Sequence, residues 1–174
     1  PWSAPASWKD NASTTYGGHL CAYAVQGACT AEHYSDWAVR LAAFATNLKA
    51  SGVDLYGISV QNEPDFTASY DSMLFTDQEM VDFIKNLGPR LAGLSPRPKL
   101  VVGDYANWNN IWNLRYAIQA DPVAASYTDI YAVHQYFGTS YYQNQLSRPL
   151  WQTEMSGFDS FDPGIDNAIN VAEW

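Results

Sequence analysis

Two glutamates have the type and setting for chemistry: Glu63 in Gln61-Asn62-Glu63-Pro64, and Glu154 in Trp151-Gln152-Thr153-Glu154. Each closes a short apolar run, and they stand 91 residues apart. A pair of carboxylates can cleave a glycosidic bond. One, kept protonated, gives its proton to the leaving oxygen; the other, ionised, attacks the anomeric carbon or activates water. The alternative is that both cap strands or join ion pairs. Only 9 Lys and Arg serve the 174 residues and none lies close to Glu63 in sequence, although Lys49 or Arg148 could fold back.

A third polar group is His134-Gln135-Tyr136. Strand alternation puts His134 and Tyr136 on one side. A strand histidine is commonly a satisfied core group. Beside two carboxylates it can instead bind sugar hydroxyls, while the tyrosine hydroxyl can donate to Glu154 and keep it ionised. Rival chemistries lack their motifs. There is no GxSxG elbow, and His19, His33 and His134 are scattered with no HExxH. Neither GxGxxG nor GxxxxGK[ST] is present to cradle a nucleotide. The expectation is no metal and no cofactor.

These residues need a scaffold of alternating strands and helices. Trp37, Leu41, Phe44, Ala45 and Leu48 have helical spacing within 32–50, which Ser51-Gly52 ends. A buried strand follows over 54–60. A helix over 76–94 opens with the capping pair Thr76 and Glu79. Further strands are expected at 99–103, 129–133 and 149–153, and helices over 109–120 and from 164 onward. The polar and aromatic stretch 137–148 shows no helical pattern. Such alternation predicts an α/β fold with a parallel sheet, and the missing nucleotide loop favours a barrel over an open sheet. Three strand steps separate Glu63 from Glu154, which would set them on facing parts of a barrel mouth. Four strands fall short of eight, and a whole barrel takes about 250 residues. The chain therefore reads as one partial barrel domain over 1–174, cut from a longer protein.

Composition narrows the partners. With 18 acidic against 9 basic residues the net charge is −9, and no basic run exists to meet nucleic acid or an anionic membrane surface. No run approaches the ~18 apolar residues of a membrane span. Seven Trp and twelve Tyr suit sugars, whose apolar faces lie flat on aromatic rings. Cys21 and Cys29, eight positions apart, favour a local disulfide over two free thiols, which would place the protein in a secreted or periplasmic compartment. Asn11-Ala12-Ser13 is a glycosylation sequon of low specificity. The expected partner is a neutral glycan, and the expected state a monomer.

The ordered set GVDLYGISVQNEPDF, YAVHQY and LWQTEMS resembles glycoside hydrolase family 30, within the clan of retaining (β/α)8 enzymes. PWSAPASWK and GGHL are similar to that family's loop after the third strand. EHYSDWAVRLAAF is similar to its third helix, and GIDNAINVAEW to the start of its seventh. The resemblance covers nearly the whole chain, from after strand 3 to the start of helix 7. It implies Glu63 as acid/base and Glu154 as nucleophile, in a double displacement without metal or cofactor. It further implies that Asn62 holds the 2-hydroxyl of the sugar, that His134 and Tyr136 line the site, and that Trp2 and Trp37 flank the glycone. Trp8 and Trp151 are weaker aromatic candidates.

The cysteine pair is not part of the resemblance. Missing are strands 1, 2 and 8 and the family's β-sandwich, so the isolated segment is expected to be inactive. Among the family's substrates, xylan stands slightly ahead of β-1,6-linked glucan or galactan, with glucosylceramide less favoured. A non-catalytic carbohydrate-binding barrel stays open as the alternative class.

Overall fold

The computed structural model describes residues 1–138 and 146–155. Its regular elements run α1 (Tyr34–Ala50), β1 (Gly57–Ser59), α2 (Asp77–Ala92), β2 (Lys99–Asn107), α3 (Ile111–Ala120), α4 (Pro122–Tyr127), β3 (Ile130–Phe137) and β4 (Leu150–Glu154). The four strands form one parallel sheet in sequential order. Alternation divides its faces. Ile58, Val60, Leu100, Val102, Tyr131 and Val133 join the helices in the main core, while Val101, Ile130 and Ala132 cluster separately. The helix expected from 164 onward lies outside the described residues, as does most of 137–148.

Local chemistry explains the boundaries. α1 begins at Tyr34 rather than at residue 32 because the Glu32 carboxylate accepts the N–H groups of Tyr34 (2.6 Å) and Ser35 (3.2 Å) from outside the helix. Phe44, expected on the buried face of α1, is exposed, while Tyr34, Trp37, Ala38, Leu41 and Ala45 are buried. α2 has the full capping box: Glu79 N–H donates to Thr76 Oγ1 (3.2 Å) and Thr76 N–H to Glu79 Oε2 (2.7 Å). The same Glu79 oxygen lies 2.8 Å from His19 Nδ1, tying the long first loop to α2.

The sequence reading omits α4. Asp121 Oδ1 accepts from Val123 and Ala124 N–H (3.0 Å each) and Pro122 opens the helix, so the Asp-Pro pair marks its start.

β2 continues four residues past the expected end at Gly103. There the chain makes a bulge rather than stopping: Gly103 has φ +95° and Asp104 φ +55°, and pairing resumes at Tyr105 with Val133. A Cβ at position 103 would meet the Ala132 carbonyl oxygen at 2.7 Å, so only glycine fits.

The first loop is held by two covers. Cys21 and Cys29 are bonded to each other. Lys9 is buried, its Nζ donating to Ser72 O (2.6 Å), Ser3 Oγ (3.1 Å) and Thr14 O (3.4 Å). Burial pushes the Lys9 ammonium down to about 8, against the smaller opposing pull of Asp10 and Asp71.

Replacing Thr76 by Ala should destabilise the protein by about 1 kcal/mol, the usual cost of an N-cap hydroxyl. Urea denaturation reads this, and an unchanged midpoint would remove the capping box from the forces holding α2.

Candidate active site

The polar residues gather at the C-terminal ends of the strands. Glu63 lies four positions past the end of β1, in the left-handed region at φ +43°. Its N–H donates to the Asp104 carbonyl oxygen (3.0 Å), so the β2 bulge fixes its backbone. The next turn is held by Asp65, whose carboxylate accepts from Ala106 N–H (2.9 Å), Asn107 N–H (3.0 Å) and Asn110 Nδ2 (2.8 Å). Glu154 ends β4, exposed, and accepts from the Tyr136 hydroxyl (2.8 Å). The sheet order places Glu63 and Glu154 three strands apart, and one carboxylate oxygen from each lies within 4.8 Å of the other.

His134 on β3 joins the halves. Its Nδ1 is 2.9 Å from Glu63 Oε1 and its Nε2 is 3.3 Å from Asp104 Oδ1. Asp104 also accepts from Ser59 Oγ (2.7 Å) and from Thr153 Oγ1. One buried carboxylate is thus bonded from β1, β3 and β4. Burial alone disfavours a charged imidazole. Hydrogen bonds to Asp104 and Glu63, with the charges of Asp104 and Glu154, outweigh it and hold His134 up at about 9. Burial likewise works against the Asp104 carboxylate, yet the donors His134, Thr153 and Ser59 bring its pKa below the ordinary value.

Glu63, His134 and Glu154 bring ligand-type atoms within 4.8 Å of one another. Both ring nitrogens of His134 already face carboxylates, Nδ1 that of Glu63 and Nε2 that of Asp104.

The aromatic candidates separate. Trp2 is 51% exposed, its ring 5.3 Å from that of Tyr70, and its carbonyl accepts from the buried Gln61 side chain (2.8 Å). Asn62 N–H donates to Pro1 O (2.8 Å), and the Asn62 carboxamide makes no hydrogen bond among the described residues.

The structure does not gather the other three tryptophans at the carboxylates. Trp37 is buried on α1, edge-on to Trp8. Trp8 stacks on His33 with the Arg40 guanidinium over its ring. Both rings form the contact between α1 and its lead-in loop, because an aromatic at helical spacing packs inward. Trp151 stacks on Tyr56, which precedes β1, and so sits toward the opposite end of the parallel sheet from Glu154.

Two residues escaped the sequence reading. Tyr70 lies beside both glutamates: burial, then the charges of Glu63 and Glu154 and a hydrogen bond to Glu63, raise its pKa. Its only sequence signal is an aromatic in the loop after Glu63. Asp104 carries a stronger signal, an acidic residue directly after the apolar run 99–103.

A parallel βα scaffold with paired carboxylates at its strand ends defines the class of enzyme mouths found on (β/α)8 barrels. Residues 1–152 match the glycosyl hydrolase family 30 TIM-barrel domain, and the chain belongs to that family. It is 31% identical over 150 residues to a Caenorhabditis elegans protein provisionally named glucosylceramidase 4, covering 78% of this chain and 26% of that protein. It is also 31% identical over 130 residues to the glucuronoxylanase XynC of Bacillus subtilis (strain 168), covering 70% and 28%. Among solved structures, the catalytic domain of the family 30 xylanase C of Talaromyces cellulolyticus superposes with a TM-score of 0.81 at 26% identity, covering 91% of this chain and 37% of that one. The chain thus spans little more than a quarter of those curated relatives, and its sheet is part of the family's barrel.

The His134 bridge carries a pH dependence. A pKa raised from 6.5 to about 9 gives stability that is fully present below pH 6.5 and lost as pH rises through about 9. Lys9, lowered from 10.5 to about 8, acts oppositely above pH 8. The melting temperature should fall from pH 6.5 towards 9, and His134→Asn should reduce that fall, leaving the part due to His19, which its hydrogen bond to Glu79 also raises. An identical slope in the variant would assign it to other groups.

Proposed function

We propose that the protein containing this chain hydrolyses β-linked glycans with retention of configuration, Glu63 serving as acid/base and Glu154 as nucleophile. The observation that carries this is the approach of the two carboxylates to within 4.8 Å at the strand ends. Retaining enzymes hold their carboxyl groups about 5 Å apart, whereas inverting ones leave roughly 6.5–9.5 Å for a water.

In the first step Glu154 bonds to the anomeric carbon, the bond to the leaving oxygen breaks, and Glu63 gives that oxygen its proton. In the second, water attacks the anomeric carbon, Glu63 takes the water's proton, and Glu154 departs as carboxylate. Tyr136 holds Glu154 by its hydroxyl. Asn62 is free to meet a sugar hydroxyl, and Trp2 with Tyr70 offers an aromatic wall.

Xylan is the favoured substrate, with β-1,6-linked glucan or galactan next. The equal likeness to a relative named for glucosylceramide cleavage and one named for glucuronoxylan cleavage puts glucosylceramide in the same panel. The Cys21–Cys29 disulfide supports a secreted or periplasmic location, and among the described residues no helix is long and apolar enough to cross a membrane. Activity is assigned to the protein containing this chain, because a family barrel has eight strands and the described residues supply four of them.

The full-length protein and its Glu154→Gln variant, incubated with glucuronoxylan, β-1,6-glucan, β-1,6-galactan and glucosylceramide, should differ by a factor of at least ~10³ in rate. Proton NMR of the first-formed sugar should show the β-anomer. An α-anomer would refute retention, and equal rates would refute the nucleophile. A folded protein that binds glycans and cleaves none would be the non-catalytic barrel.

A further inference from the structure

We infer that Asp104 is a positioning residue for Glu63, orienting its carboxyl group through His134 so that one oxygen is held and the other is left to exchange a proton with the leaving group. This rests on the acid/base role proposed for Glu63 and goes beyond it.

Asp104 reaches Glu63 along two routes. Its carbonyl oxygen accepts the Glu63 N–H (3.0 Å), and its carboxylate holds His134 Nε2 (3.3 Å) while Nδ1 of the same ring meets Glu63 Oε1 (2.9 Å). Both residues have positive φ, +55° and +43°. A side chain beyond glycine costs of order 1–3 kcal/mol in a sparsely populated backbone region, and such strain gathers at functional sites. A buried ion pair that only filled space would not need that backbone.

The chemistry follows from the hydrogen bonding. With Nδ1–H donating to Oε1, that oxygen acts as acceptor, and the proton of a neutral Glu63 carboxyl belongs on Oε2. Without the Asp104 carboxylate, Nε2–H would lack its charged acceptor and the ring its fixed orientation. The groups facing this chain are Glu63 after β1, Tyr70 in the loop that follows it, Asp104 on β2, the Tyr136 ring edge-on from β3, and Glu154 on β4.

The test compares leaving groups in the full-length protein. A 2,4-dinitrophenolate departs without protonation, whereas phenolate and alkoxides need the acid. Using 2,4-dinitrophenyl and phenyl glycosides of β-xylobiose and gentiobiose, Asp104→Asn should lower kcat/KM about 100-fold on the phenyl substrate and less than ~5-fold on the dinitrophenyl one, in line with the size of general acid catalysis. Thr153→Val, which removes one donor from Asp104 but keeps its charge, should show the same selectivity at smaller size and decides the matter if Asp104→Asn does not fold. Glu63→Gln is the reference. If it shows leaving-group selectivity and the Asp104 and Thr153 variants lose equally on both substrates, the positioning role is wrong. If Glu63→Gln shows none, the acid/base assignment itself fails.

Imidazole NMR gives a readout independent of activity. His134 should titrate near 9 in the parent and clearly lower in Asp104→Asn. An unchanged titration would overturn the inference whatever the rates.

Discussion

A buried carboxylate must be satisfied on all its lone pairs or it will not stay charged, and in this protein that demand organises the mouth of the sheet. Asp104 draws Ser59 from β1, His134 from β3 and Thr153 from β4 onto one point. Burying it without those donors would cost several kcal/mol. Four parallel strands are locked together at the end where Glu63 and Glu154 emerge, by polar contacts that the apolar faces cannot supply.

The bulge makes this geometry available. A regular strand would alternate Gly103 and Asp104 to opposite faces and leave no room for a second left-handed residue. With Gly103 at φ +95° the chain passes the Ala132 carbonyl at a distance no Cβ would allow. Asp104 then offers both its backbone oxygen and its side chain towards the β1 end. Asp65 performs a complementary task outside, taking the N–H groups that follow the bulge, so that the loop carrying Glu63 is pinned on both sides. The two glutamates consequently sit in unlike surroundings: Glu63 is buried beside a charged imidazole, and Glu154 is exposed under a tyrosine hydroxyl.

The aromatic residues show that residue type does not by itself set position. All four tryptophans singled out in the sequence have the rings that sugars favour, yet Trp8, Trp37 and Trp151 use theirs for packing against His33, Arg40 and Tyr56. Only Trp2 faces the site, and it does so because Gln61 and Asn62 hold the backbone of Trp2 and Pro1 beside β1. Lys9 then ties Ser3 to Ser72, and so joins the loops that present Trp2 and Tyr70.

Hydrophobic spacing and capping chemistry are local properties, and local order was legible: α1, α2 and all four strands were expected near where they lie, as was the Thr76 capping box. The three-strand step between Glu63 and Glu154 also followed from sequence, because right-handed βα units in a parallel sheet advance one strand at a time. Which side chains face one another across that sheet was not legible. A register shift turns Asp104 towards His134, and side-chain contact depends on register and backbone sign, which leave only the trace of one glycine in the sequence. Residue types and their order determined the scaffold and the carboxylate pair. The tertiary structure alone decided that Asp104 meets Glu63 through His134, since a buried charge finds its donors only when distant strands close around it.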